Sequence, residues 1–244
     1  MSETIVTATC SAPGCSEPGT NKCSACKITL YCCVGCQTID WPSHKCECQG
    51  HLRKIGMVHL EKARGFNQDY NWSQCLHHSE LALTKLNKLH PRTLEVIEIL
   101  DDALTFKFDA LNCTNLKREA MECAQERYSL WAAGHMRNPG MLHAAFPLIE
   151  GLLHTHDYEQ ALLIANTAYE MIVNDTDNNI PPVHHPFLLA HAAEYLAKAT
   201  FRMSCAGGLP LKEKKKAGEQ AIALAREALE LHIKTQGFLN PTQS

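Results

Sequence analysis

Between Cys10 and Cys48 lie nine of the chain's thirteen cysteines, together with one histidine, His44. Thiolate sulfur and imidazole nitrogen are the ligands that zinc selects. They fall into four pairs: Cys10 and Cys15 (C-x4-C), Cys23 and Cys26 (C-x2-C), Cys32 and Cys36 (C-x3-C), His44 and Cys48 (H-x3-C). Eight ligands in four pairs supply two tetrahedral zinc sites. Pro13-Gly14 inside the first pair and Ser24-Ala25 inside the second make turns that bring two thiolates toward one metal. Residues four apart share a helix face, which selects Cys32 with Cys36 and His44 with Cys48. Cys33 stands about 100° off the first face and Cys46 about 200° off the second, so neither is expected to be a ligand. Four protein ligands per ion close both sites, the arrangement of structural rather than catalytic zinc. Lys22, Lys27 and Lys45 either offset the thiolate charge or are ordinary solvated lysines.

The elements that must position these ligands are mostly helical. A helix is expected to start near Pro42-Ser43, carry His44 and Cys48, and run on to Arg64. Leu52, Ile55, Val58 or His59, and Lys62 recur along it every three to four residues as a packing face. From residue 71 the periodicity predicts helices over 72–88, 92–110, 114–134, 140–155, 158–174, 186–205 and 212–235. Pro91, Pro139, Pro181-Pro182, Gly207-Gly208 and Pro210 punctuate them. No alternating strand pattern occurs outside the cysteine-rich segment. The expected fold class is mainly α: a small two-zinc finger over 8–50, a linking helix over 51–70, and an all-α region of helical hairpins over 71–240. Residues 1–9 read as a loosely ordered lead-in.

Composition narrows the function. A formal charge of −3 on 244 residues argues against an electrostatic grip on nucleic acid. The first residues have neither a basic start nor an apolar core, so no signal peptide is expected. No apolar run is long enough to span a membrane. Cysteine-rich chains without a secretion signal favour metal thiolates over disulfides, hence an intracellular, reducing setting in cytoplasm or nucleus. Cys75, Cys113, Cys123 and Cys205 lie in apolar helical patterns and are expected to be inert core residues.

The finger resembles the MYND type. The matching residues are Cys10, Cys15, Cys23, Cys26, Tyr31-Cys32, Cys36-Gln37, Trp41, His44-Lys45 and Cys48. The family usually opens with C-x2-C, where this chain has C-x4-C. The resemblance implies interleaved ligation: Cys10, Cys15, Cys32 and Cys36 on one ion, and Cys23, Cys26, His44 and Cys48 on the other. It also implies a groove for short proline-containing peptides around Gln37 and Trp41, which lie one helical turn apart. The competing reading makes Trp41 a small-domain core residue packed on Pro42.

A repeat runs through the second half. Glu159 to Met171 aligns with Glu219 to Leu231 and places alanine at the same three positions, Ala161, Ala165, Ala168 and Ala221, Ala225, Ala228. Small residues at that spacing let helices approach closely. His-Pro recurs at His90-Pro91 and His185-Pro186, each expected to open a helix. This half is similar to tetratricopeptide repeats in the long-helix form of kinesin light chains, carried by Ala145, Leu148, Asp157-Tyr158, Ala161 and Ala168. Pro147 is a departure that predicts a kink or a late helix start. The family's chaperone-clamping lysine and asparagine are replaced by Phe146 and Glu150. His77-His78, His154 with His156, and His184-His185 are expected at the surface or at helix caps. Lys212 to Lys216 reads as a solvated helix start.

The chain has no phosphate-cradling glycine loop, no HExxH, and no Asn-His-x-Cys-x-Pro-Asn segment of the kind that the SET domains of MYND methyltransferases carry. The expectation is therefore a non-enzymatic adaptor for proteins with proline-containing motifs, binding neither nucleic acid nor membrane. The rivals are a divergent SET-and-MYND methyltransferase relative and a nucleic-acid-binding finger.

Overall fold

The computed structural model describes residues 8–133, 139–175, 180–181, 184–206 and 210–239, with side chains to 234. Gly207-Gly208, Pro182 and most of the 1–9 lead-in lie outside the described residues. The fold is mainly α. Two short antiparallel strands, β1 (Asn21–Lys22) and β2 (Leu30–Tyr31), pair in the register Asn21 to Tyr31. They are followed by α1 (Val34–His44), α2 (Gln49–Gln68), α3 (Trp72–Leu86), α4 (Leu94–Cys113) and α5 (Lys117–Ala132). The remaining helices are α6 (Pro139–His154), α7 (Tyr158–Val173), α8 (His185–Cys205) and α9 (Leu211–Leu239). The chain divides into two compact units, and the boundary between Ala110 and Leu111 falls within α4.

In the first unit the expected continuous helix from Pro42 to Arg64 is interrupted. α1 ends at His44, and α2 begins at Gln49 after a turn in which Cys48 N–H reaches the His44 carbonyl at 2.8 Å. The packing face of α2 also differs from the one the periodicity suggests. Leu52, Gly56, Leu60 and Ala63 are buried, whereas Val58 is 50% exposed. Gly56 is the reason, because it permits a close helix crossing: a Cβ there would stand 2.6 Å from Leu86 Cδ2 on α3. α3 meets it with Cys75, Ser79, Ala82, Leu83 and Leu86, and is capped by Asn71, whose side chain accepts from Gln74 N–H at 3.3 Å. Thr93 caps α4 in the same way, at 3.4 Å from Val96 N–H, so Pro91 precedes that helix rather than opening its first turn. Pro186 does lie in the first turn of α8.

In the second unit each helix packs on the next, α5 on α6 through to α8 on α9, and α6 also touches α8. Asp157 caps α7 by accepting from Gln160 N–H at 3.3 Å. Its alanines, Ala161, Ala165 and Ala168, are all buried. The α9 repeat buries Ala221 and Ala228 but leaves Ala225 exposed. α6 starts at Pro139 and contains Pro147, so the late start is not seen. Phe146 stacks on Tyr195 with centroids 5.3 Å apart, and Glu150 accepts from the Tyr195 hydroxyl at 3.4 Å. Both therefore face α8. Tyr169 donates to Glu227 at 2.8 Å, and burial with that carboxylate pushes its hydroxyl up to about 12. Cys75 and Cys123 are buried, but Cys113 and Cys205 are exposed, each being the last residue of its helix, where the packed face has ended.

His78 also departs from the surface role. It stacks flat on Phe66 at 5.4 Å, and its Nδ1 stands 3.1 Å from His59 Nδ1. Burial holds both imidazoles below their ordinary range; Lys62 and His77 add to that for both, Lys85 for His59, and the His59 charge for His78. A depressed histidine stabilises the fold above the free value of about 6.5, and that contribution is lost as pH falls below it. Hydrogen exchange of α2 and α3 at roughly pH 7.5 and pH 5.5, either side of that value, is the measurement. The parent protein is expected to lose more protection on acidification than His78→Gln. Zinc loss from the finger is common to both proteins and drops out of the difference.

Candidate metal centre

Two Cys/His clusters occupy the first 41 residues of the described chain. The Sγ atoms of Cys10, Cys15, Cys32 and Cys36 all lie within 4.8 Å of one another, as do the ligand atoms of Cys23, Cys26, His44 and Cys48. Local chain geometry supplies each pair. Gly14 takes a positive φ of 75°, and Cys15 N–H returns to the Ala12 carbonyl at 3.1 Å, folding the first loop. Lys27, at φ 59°, closes the second, its N–H on the Cys23 carbonyl at 2.9 Å. Cys32 follows β2, Cys36 lies in the first turn of α1, His44 ends α1, and Cys48 immediately precedes α2.

The donor set fits zinc. Tetrahedral bonds of about 2.3 Å to sulfur and 2.0–2.1 Å to nitrogen set sulfur atoms about 3.7 Å apart, and sulfur and nitrogen about 3.5 Å apart. Cys15 and Cys32 Sγ stand at 3.7 Å, Cys32 and Cys36 at 3.3 Å, and Cys26 Sγ and His44 Nε2 at 3.6 Å. The clusters fit two structural zinc ions.

The helix-face argument for choosing among the cysteines does not describe the local geometry, because Cys32 precedes α1 instead of lying on it. Cys33 is the residue before the helix, and its exposed side chain accepts from Cys36 N–H at 3.5 Å. Cys46 is exposed in the turn between α1 and α2.

Around the ligands is a shell that spacing alone did not reveal. Tyr31, 1% exposed, donates its hydroxyl to the buried Asp40 of α1 at 2.7 Å. Burial, followed by that carboxylate, raises its pKa. The bond pins α1 against β2. Gln37 directs its amide nitrogen at Cys23 Sγ, 3.5 Å away, and Cys26 Sγ donates to the Thr29 hydroxyl oxygen at 3.7 Å. Half-buried Trp41 sets its ring against the His44 and His51 rings, at 5.9 and 5.2 Å, both edge-on. Its ring neighbours are these two histidines, and the indole also packs against the finger's buried cluster of Cys10, Ala12, Cys23, Tyr31 and Cys48, as the core reading expects, while Pro42 is exposed. Gln49 clamps the start of α2, donating to the Lys88 carbonyl at 3.2 Å and accepting from His90 N–H at 2.8 Å.

Gly50 is the tightest point. A Cβ there would lie 2.0 Å from the Ala25 carbonyl oxygen, in the turn between Cys23 and Cys26. Both parties are backbone, so neither yields. Gly50→Ala is expected to cost at least about 1–3 kcal/mol, the usual cost of overpacking. A chelator should extract zinc faster from this variant than from the parent. His44→Ala is expected to lower the zinc count and unfold the finger, since metal binding supplies its folding free energy. Elemental analysis with near-ultraviolet circular dichroism reads both, and a finger that keeps its dichroism after chelation contradicts the account.

Residues 8–48 match the family model for the MYND finger. The N-lysine methyltransferase SMYD2 of Gallus gallus is 28% identical over 123 residues, 50% of this chain and 25% of that protein. SET domain and MYND-type zinc finger protein 6 of Schizosaccharomyces pombe is 50% identical over 44 residues, 18% of this chain and 9% of its own length. Ubiquitin carboxyl-terminal hydrolase 19 of Arabidopsis thaliana is 51% identical over 45 residues, 18% of this chain and 6% of its own. The chain thus spans a quarter or less of the length of these relatives. No solved structure matches it. The front of this chain is a MYND zinc finger, and the described residues that follow it form an all-helical region.

Proposed function

We propose that the chain is a zinc-dependent protein–protein interaction adaptor rather than an enzyme. Cys10, Cys15, Cys32 and Cys36 hold one structural zinc, and Cys23, Cys26, His44 and Cys48 hold the other. Gln37 and Trp41 receive a short proline-containing peptide: the proline ring packs on the indole while the amide bonds the peptide backbone. The observation that carries this reading is the placement of Trp41. It is half-buried on a metal-fixed helix, one turn from Gln37, with its edge contacts to His44 and His51 holding the ring still. A preorganised aromatic of this kind loses little entropy on binding. Exposed Ile28, Val34 and Ile39 add apolar surface to the same finger.

The finger spans 8–50, a linking helix 51–70, and a tetratricopeptide-like array 71–240 that offers a second partner surface. The sequential packing of α5 to α9 supports such an array. Differently named relatives, a SET domain and MYND-type zinc finger protein and a ubiquitin carboxyl-terminal hydrolase, share the finger-sized segment, which favours a module independent of any one reaction. The charge of −3 disfavours a nucleic-acid partner. No described helix is long and apolar enough to cross a membrane. The cysteine usage supports an intracellular setting.

One observation favours a second reading. The likeness to SMYD2 covers 123 residues, three times the length of the finger match, so it includes helical residues as well. A methyltransferase relative would bind S-adenosylmethionine, and calorimetry with that cofactor separates the two readings; no heat of binding is expected. For the adaptor, a displayed peptide library is selected on the parent protein. The enriched peptides should contain proline and lose affinity at least about tenfold, or 1.4 kcal/mol, on Trp41→Ala. Zinc content should not change. Equal affinity in parent and variant removes the groove assignment.

A further inference from the structure

We propose that His191, Glu194 and His232 form a third zinc site, separate from the finger, that clasps α9 onto α8. His191 and Glu194 are three residues apart on α8 and so project from one face, and His232 reaches them from α9. Their ligand atoms lie within 4.8 Å of one another. Glu194 Oε2 is the shared apex, 3.9 Å from His191 Nδ1 and 3.6 Å from His232 Nε2. Both distances exceed a hydrogen bond. A tetrahedral zinc ion with bonds of 2.0–2.1 Å requires about 3.3 Å between such atoms. The two Glu194 distances shorten by about 0.6 and 0.3 Å when the site closes, and the separation of the histidine nitrogens, within 4.8 Å, shortens by at most about 1.5 Å, all within reach of side-chain rotation.

The surroundings prepare the ligands. Lys198 holds the other carboxylate oxygen, Oε1, at 2.6 Å, which leaves Oε2 to face both imidazoles and fixes the carboxylate as a one-oxygen ligand. Phe187 sets an edge contact on the His191 ring at 4.4 Å, and Phe146 flanks it at 6.0 Å. The three side chains are only 32%, 37% and 30% exposed. Burial first, then His232, keeps His191 below the ordinary histidine range, in the neutral form that ligates metal.

Two nitrogens and one carboxylate oxygen make a ligand set that zinc accepts, with a fourth position left for water. Glu194 and His232 also line a 440 Å³ cleft whose other walls include Ala197, Phe201, Ala221 and Leu229, and this gives the water room. The clasp has a structural purpose. Ile222, Leu229 and Ile233 of α9 are exposed, and the first two line the cleft against α8, so apolar packing between these two helices is incomplete. In the sequence the signal is His-x-x-Glu on one helix, a spacing that helical bundles use to hold metals. The third ligand lies on another helix, where spacing cannot pair it.

The test uses the full chain loaded with zinc and dialysed. Elemental analysis is expected to find three zinc ions in the parent, and two in His191→Ala and in His232→Ala. Added zinc should raise the unfolding temperature of the helical region in the parent but not in the variants. Cobalt substitution separates the sites, because the finger clusters give intense thiolate-to-metal absorption and the third equivalent adds none. Should alanine disturb α9, Glu194→Gln keeps the shape, is checked by circular dichroism, and should lose the same equivalent. Two zinc ions in the parent with no saturable uptake of another overturns the proposal. So does a third equivalent that survives in the His191→Ala/His232→Ala double variant or in Glu194→Gln.

Discussion

Coordination of two zinc ions by alternating pairs is the constraint on which the front of this molecule depends. The finger's buried apolar set is Cys10, Ala12, Cys23, Tyr31 and Cys48, and three of those five are themselves ligand candidates. One tyrosine and one alanine do not make a core able to offset the ordering of some forty residues. Structural zinc contributes roughly 10–16 kcal/mol in finger peptides, which does. Because the first pair joins the third and the second joins the fourth, neither cluster is local. Each bridges a loop of the knuckle region to an end of α1, so the loops, β2 and both helix ends form one body. The Tyr31–Asp40 bond at 2.7 Å then ties strand to helix at a point that no metal reaches.

That body also sets the start of the helices behind it. Gly50 accepts the Ala25 carbonyl where a methyl group would collide, and Gln49 bonds on both sides of the α3–α4 connection. The interruption between His44 and Gln49 follows from these contacts. A helix running straight from Pro42 to Arg64 would carry Cys48 along the α1 axis. The turn instead delivers Cys48 to the second cluster and releases α2 in a new direction. Hydrophobic periodicity registers neither a metal nor a backbone contact, so it reads the two helices as one.

Helix positions were legible from sequence because proline, glycine and the 3.6-residue period all act locally. Faces were less legible. Ile55 and Val58 outrank Gly56 in hydrophobicity, yet Gly56 is buried because its lack of a side chain is what the Leu86 contact needs. The alanine repeat predicted close packing on both α7 and α9. Ala225 escapes it because it lines the open cleft between α8 and α9, where the two helices do not close on each other. Cys113 and Cys205 show the same limit at helix ends, where a periodic pattern continues for a residue after the packing has stopped. The finger's pairs were legible as spacing. The Gln37 and Asp40 contacts were not, since both depend on where α1 lies across β2.

The Gln37 contact bears directly on the proposed groove. A glutamine amide has two N–H donors and one carbonyl acceptor. A zinc-bound thiolate is an acceptor, so the nitrogen side of the amide must face Cys23 Sγ, as it does at 3.5 Å. One donor is thereby committed and the amide plane is fixed. The second donor and the carbonyl oxygen then stand at a set angle on the helix, one turn from Trp41. An extended peptide offers a backbone carbonyl and N–H to such a group, but its proline offers no N–H, only a ring for the indole. Zinc coordination therefore does more than fold the finger: by holding the thiolate it orients the amide that would read the peptide, and peptide binding in this reading depends on the second zinc ion even though no peptide atom touches it.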